Sequence, residues 1–208
     1  MYRPPQYAVD EPFLLHRLIT AFPLATIAVA TNGKIELAYA PVVLDARNGP
    51  YGGVRFHLAR ANPVASSAND DVCFSFRGPD AYISPDWYCA AGMVPTWNYV
   101  AVEGRGRANV LDGVQLRTLL VDLSTQEETK LAPKRPWTID KVPAERQAVL
   151  LRAIVGFSVQ FDRLEGKFKL SQEKSVTERE GACAGLVGRG DPGSLAVAAV
   201  MKSRKARA

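Results

Sequence analysis

Asn32-Gly33 stands between two apolar runs, Leu24 to Ala30 and Lys34 to Leu44. A two-residue turn of this type requires positive φ, which Asn and Gly tolerate, and its twist matches that of two paired strands. The runs are therefore expected to fold back on each other as an antiparallel hairpin. Further strands are read at Val54 to Leu58, Val72 to Phe76, Tyr99 to Leu111 and Gly156 to Leu164, with no regular alternation of strand and helix between them. This order argues against a doubly wound parallel sheet and predicts a mainly β, α+β chain, an antiparallel β-barrel with peripheral helices.

The helices predicted around that sheet run from about Asp10 to Phe22, Asp112 to Thr125, Pro143 to Ile154 and Gly193 to Lys202, with a short helical stretch at Ala61 to Ala68. In the first, Phe13, Leu14, Leu18 and Ile19 have the spacing of a core-facing stripe. Along the Tyr99 strand, Val100, Val102, Gly104, Gly106, Ala108 and Val110 share one face, small enough for another element to approach closely. Glu127 to Asp140 is polar and rich in proline and reads as a long loop. No repeat or composition break marks a second core, so residues 1–185 are expected to form the main domain, followed by a C-terminal helix and basic tail over 186–208.

Composition narrows the chemistry. The 208 residues carry a formal charge of +5, but Lys202, Arg204, Lys205 and Arg207 supply most of the excess, so the body is nearly balanced. A basic tail leaves DNA possible as a partner, yet neither a helix-turn-helix nor a basic stripe outside the tail is found. Cys73, Cys89 and Cys183 form no paired motif, and His16 and His57 have no metal-ligand spacing, so no metal site is expected. No apolar run approaches the ~20 residues of a membrane span, and Met1-Tyr2-Arg3-Pro4-Pro5 lacks a signal-peptide core. The expectation is a cytoplasmic protein with no membrane partner.

Three segments bear polar or aromatic groups in useful patterns. Arg77 to Tyr88, continued by Val94-Pro95-Thr96-Trp97-Asn98-Tyr99, gathers Tyr82, Trp87, Tyr88, Trp97 and Tyr99 among prolines without helix or strand periodicity. It reads either as a stiff wall for a flat ligand or as a packed loop covering a sheet edge. At the end of a strand, His57, Arg60 and Asn62 could converge on an anion, or could be a surface arginine and a capping asparagine. Lys167 and Lys169 point the same way if their strand continues, with Ser171 and Gln172 behind them. That set suits a phosphate or the polar rim of an isoalloxazine, or is a solvated strand end. Gly188-Arg189-Gly190-Asp191-Pro192-Gly193 fits a dinucleotide fingerprint only as a string, because no strand leads into it. Ser84 lacks a nucleophile turn, so a hydrolase reading fails.

Taken together, Met1-Tyr2-x-Pro4, Ala59-Arg60-Ala61-Asn62-Pro63, Gly78-Pro79-x-Ala81-Tyr82-Ile83-Ser84-x-x-Trp87-Tyr88, Val94-Pro95-Thr96-Trp97-Asn98-Tyr99, Ile154-Val155-Gly156-Phe157 and Lys169-Leu170-Ser171-Gln172 resemble, in order, the PaiB family. The resemblance spans residues 1 to about 180. It implies an FMN-binding split β-barrel similar to the pyridoxamine phosphate oxidase class, a homodimer with flavin sites at the subunit interface, and a role as a negative transcriptional regulator. The alternative is a flavin-dependent oxidoreductase acting on a small molecule. By the same resemblance His57, Arg60 and Asn62 lie near the FMN phosphate and Trp97 and Asn98 flank the ring. Lys169 and Gln172 then complete the pocket, from the same subunit or from the other. The chain departs from the family pattern at Tyr39-Ala40-Pro41, where His-x-Pro is usual, at Glu103, where His is usual, and at Glu173, where Asn is usual.

Overall fold

The computed structural model describes residues 1–31, 33–66 and 71–204. Asn32, the end of the 61–68 stretch and the tail residues Lys205 and Arg207 lie outside the described residues. In chain order the elements begin with β1 (Ala8–Val9), α1 (Pro12–Ala21), β2 (Leu24–Thr31), β3 (Lys34–Pro41), β4 (Val43–Asp45) and β5 (Gly53–Ala59). They continue with β6 (Asp71–Ile83), β7 (Thr96–Val110), α2 (Gly113–Glu128), α3 (Ala144–Arg152), β8 (Ile154–Gln160), β9 (Arg163–Lys169), α4 (Val176–Arg189) and α5 (Pro192–Ser203). The strand order is β3-β2-β6-β7-β8-β5-β4, with β9 pairing β1 and β7.

The chain divides into two compact units that are not contiguous in sequence: Met1–Glu11, Arg77–Val102 and Glu165–Ala208 form the first, and Pro12–Phe76 and Glu103–Leu164 the second. The boundaries fall inside β6 and β7, so the chain passes between the units repeatedly and no linear change of composition marks either one.

In the second unit, β2 and β3 pair antiparallel from Leu24↔Pro41 to Thr31↔Lys34, and Gly33, just before β3, has φ 75°. β2 pairs antiparallel with β6, β5 with both β4 and β8, and β8 with β7. Alternation along these strands turns Ile27, Val29, Phe56, Phe74, Phe157 and Phe161 into the core. Their rings interlock: Phe56 lies 5.3 Å from Phe157 and 5.4 Å from Phe74, and Phe74 lies 5.9 Å from Phe161 edge to face. The small face of β7 serves this packing, since a Cβ at Gly104 would stand 2.6 Å from the Phe161 ring and one at Gly106 2.1 Å from the Gln160 carbonyl. Val110, expected on that face, is instead exposed at the end of the strand.

α2 starts at Asp112, whose carboxylate accepts from the Gln115 N–H at 2.8 Å while the Gln115 side chain accepts from the Asp112 N–H at 2.9 Å. Leu116, Leu119 and Leu123 are buried with Leu111 as a second apolar cluster. α1 buries Leu15, Leu18 and Ile19, while Phe13 is exposed. The buried stripe is centred on Leu15 and Ile19, and Phe13 lies about 200° around the helix from Leu15.

In the first unit, Ala8 pairs with Lys167 and Val9 with Gly166. Two parts of the aromatic segment prove to be strand, since β6 runs to Ile83 and β7 begins at Thr96; the intervening part holds the 3-10 turn Pro85–Tyr88. α4 was not anticipated from the sequence. It opens with reciprocal Ser175 and Glu178 caps, and its C-cap Gly190 has φ 74°. Asp191 then caps α5, so the glycine-rich string 188–193 is a helix stop followed by a helix start. Trp87 lies along α4, where a Cβ at Gly185 would meet its indole at 2.2 Å and one at Gly181 its carbonyl at the same distance.

Phe74→Ala is expected to cost about 3–5 kcal/mol of unfolding free energy, read as a lower urea midpoint. Gly185→Val should expel Trp87 from α4 and red-shift the tryptophan emission; an unchanged spectrum would contradict the packing described.

Candidate functional site

β5 delivers His57, Arg60 and Asn62 at its C-terminal end in the second unit, and hydrogen bonding with neighbouring backbone fixes two of the three. The Arg60 N–H donates to the Ala153 carbonyl at 2.8 Å. Its guanidinium donates from Nε to the Arg152 carbonyl and from Nη2 to the Ile154 carbonyl, both at 2.9 Å. These bonds hold the plane of the guanidinium at the end of α3, and Nη1 takes part in neither. The Asn62 side-chain oxygen accepts from the Val64 N–H at 2.9 Å and caps the 3-10 turn Pro63–Ser66.

His57 and Arg60 border two different cavities, which share Leu151 and Ile154. Arg60 shares a cavity of about 280 Å³ with Asp112 and Gly113 at the start of α2. Arg60 is the cation that could meet an anion there, since the Asp112 carboxylate already caps the start of α2. His57 instead borders a cavity of about 360 Å³ among Leu120, Leu123, Trp137 and Ile154. Its Nδ1 is buried without a hydrogen-bond partner, and burial pushes its pKa below the ordinary 6.5.

The remaining expected residues lie in the first unit, at the start of β7 and the end of β9. Trp97 is exposed over half its surface and meets Tyr82 edge to face at 6.2 Å, leaving area for a planar partner. The Lys169 ammonium donates to the Thr96 hydroxyl. Lys167, two residues earlier on the same face of β9, lies 5.4 Å from the ring centres of both Tyr2 and Tyr99. Asn98 is fully buried, bonding through Nδ2 to Ser171 Oγ at 3.0 Å and to Met201 Sδ at 3.5 Å. Gln172 closes its own turn, accepting from the Leu170 N–H at 2.6 Å and donating to the Phe168 carbonyl at 2.5 Å.

Two sets of contacts stand out here that sequence reasoning did not foresee. Ser171 takes the left-handed conformation at φ 58°, and its hydroxyl joins Asn98 and the Tyr88 hydroxyl, the latter at 3.1 Å. Burial raises the Tyr88 pKa, partly opposed by that hydrogen bond. The second centres on Tyr7, whose phenol is pushed up to about 12 by burial, by the charge of Glu173 and by donating a hydrogen bond to it. Glu173, one of the departures from the PaiB pattern, therefore has a partner within the chain. Sequence inspection offered no signal for either set, because both depend on contacts between segments more than 70 residues apart.

For FMN the donor set fits in kind: an oriented guanidinium suits a phosphate, and an exposed indole with nearby lysines suits a planar, electron-poor ring. Curated relatives include the Protease synthase and sporulation protein PAI 2 of Bacillus subtilis, 28% identical over 98% of both chains. An uncharacterized protein of Emericella nidulans is also 28% identical, over 98% of this chain and 97% of its own length. Among solved structures, the FAD and heme binding protein of Mycobacterium smegmatis superposes with a TM-score of 0.58 at 16% identity, covering 78% of this chain and 73% of that one. A conserved hypothetical protein of Mycobacterium tuberculosis gives 0.59 at 12% identity, covering 84% of this chain and 94% of that one. These similarities carry the fold, that of the split-barrel flavoproteins. Residues 1–163 match the family described as "Putative FMN-binding domain", and with its PaiB-like motifs the chain belongs to that family.

Proposed function

We propose that the protein binds FMN as a homodimer, with Arg60 and Asn62 contacting the phosphate and Trp97 and Lys169 contacting the ring system. The observation that carries this reading is the family match over residues 1–163, which contains Arg60 and Trp97. Arg60 supports it because its guanidinium is already oriented by backbone carbonyls, so little freedom remains to be lost on binding. Asn98 and Gln172 act in this reading as positioning residues, the first beside Trp97 in β7 and the second behind Lys169.

Dimerisation is supported by the exposed face of the β2–β3 hairpin. Leu24, Ile35, Leu37 and Tyr39 are each more than half exposed. The register Leu24↔Pro41 places them on one side of the two strands. β3 ends the strand order, so this apolar strip borders an open edge, a surface that proteins ordinarily cover. Tyr39 extends the strip at the position where the PaiB pattern has histidine.

Bound FMN supplies hydride or electron transfer. A negative transcriptional regulator and a small-molecule oxidoreductase would both use it, and operator binding against turnover with NAD(P)H separates the two.

Apoprotein titrated with FMN should show saturable binding with a shifted visible band. Arg60→Ala should weaken it about 10- to 100-fold, the worth of a charge-assisted hydrogen bond, and Trp97→Ala about 3- to 10-fold. Protein that is colourless and takes up no FMN overturns the proposal. Leu37→Lys should halve the mass seen in sedimentation from twice 22.6 kDa to the single-chain value; a wild-type monomer would remove the dimer.

A further inference from the structure

Within the first unit, a cavity of about 70 Å³ is bordered by Gln6, Gln172, Arg179 and Arg204, with Val9 and Leu170 among its apolar walls. These residues come from four places: the N-terminal segment with β1, the turn after β9, α4, and the end of α5. Among the described residues that line the cavity, none is Asp or Glu. We propose that it binds a small tetrahedral oxyanion, the chemistry shared by inorganic phosphate and sulfate, between the guanidinium groups of Arg179 and Arg204. The site has no residue in common with the cavity around Arg60 and is independent of the flavin.

Charge is the first argument. A guanidinium stays protonated in a protein, so two of them on one small cavity cannot relieve their repulsion by losing a proton. Arg179 and Arg204 are both half-buried, and a charge drawn out of water needs an opposite charge or hydrogen bonds in return. Part of that is supplied at the end of α5, where Arg179 donates from Nη2 to the carbonyls of Met201 and Arg204, both at 2.5 Å. A helix C-terminus carries only about half a negative charge, short of the two positive charges gathered there. The neighbouring acids are committed elsewhere: Glu173 shares a hydrogen bond with the Tyr7 phenol, and Glu178 accepts from the Ser175 N–H at 2.8 Å. Neither borders the cavity.

Orientation and size are the others. Arg179 is held by its two carbonyls and Arg204 by the Phe168 ring, whose centre lies 4.6 Å from the guanidinium carbon. Planar donors fixed in this way match the oxygens of an oxyanion and lose little freedom on binding one. Gln172 gives one N–H of its amide to the Phe168 carbonyl at 2.5 Å, and the amide carries a second. A water molecule takes up about 30 Å³ of the liquid, whereas pockets for larger organic ligands begin at about 300 Å³. The cavity therefore has room for a single small ion and none for a nucleotide. The bound ion joins β1, the turn after β9, α4 and α5 through one set of charges.

The test is equilibrium dialysis of the full-length protein, without flavin, against radiolabelled inorganic phosphate at fixed ionic strength. The expected result is saturable uptake that persists in Arg60→Ala and is competed by sulfate but not by equimolar chloride. Arg204→Gln should weaken it about 10- to 100-fold, the worth of hydrogen bonds to a charged group. Arg204→Lys keeps the charge and loses the planar fork, so it should weaken uptake about threefold or more, and it is the second variant should Arg204→Gln lack a cooperative melting transition. Uptake that does not saturate, chloride competing as well as sulfate, or unchanged affinity in the Arg204 variants would each overturn the proposal. Uptake lost in Arg60→Ala would overturn it by assigning the ion to the other cavity.

Discussion

Everything in the second unit depends on how closely β7 approaches the strand end that carries Phe161. The Phe161 ring occupies the space where a side chain at position 104 would be, and the Gln160 carbonyl does the same at position 106. Two glycines thereby let four phenylalanine rings from β5, β6, β8 and the residue after β8 meet at 5–6 Å. A core of that density fixes strand register, because a one-residue slip would exchange its inward and outward residues. The same register decides what β5 offers outside: Val54, Phe56 and Leu58 point inward, so Arg55 and His57 must point toward α2.

Much of this was legible in the sequence for a physical reason: hairpins, caps and alternating strands are local, and their signals sit within a few residues of one another. Asn32-Gly33 announced the hairpin, Asp112 announced α2, and alternation along β7 identified its inner face from Val100 to Ala108. Gly78 and Pro79 concealed the far half of β6, since both residues are poor strand formers and the pairing that sustains them is non-local. α4 was legible in principle, for Ser175 and Glu178 have the capping-box spacing, but its many small residues blur any apolar stripe. The reason for two of them, Gly181 and Gly185, is Trp87, nearly a hundred positions away.

The candidate site divides along the same line. Residue types suited to an anion and a flat ring could be read directly, and so could Asn62 as a cap. Which atoms were already committed could not, because Arg60 spends its bonds on the end of α3 and Asn98 spends its amide on Ser171 and Met201. Glu173 illustrates the point in reverse. As a departure from the family pattern it looked like an added charge, yet the Tyr7 phenol shares a hydrogen bond with it.

Ser171 carries a constraint of a different kind. A left-handed backbone at a residue with a Cβ costs about 1 kcal/mol, a cost that glycine would avoid. Glycine, however, would strip the hydroxyl from Asn98 and Tyr88 and leave two buried polar groups without it. The backbone and the side chain of this position therefore favour different residues, and serine is the compromise. Such local frustration couples three distant segments, around Tyr88, Asn98 and Ser171, so that divergence at any one of them is limited by what the other two can accept.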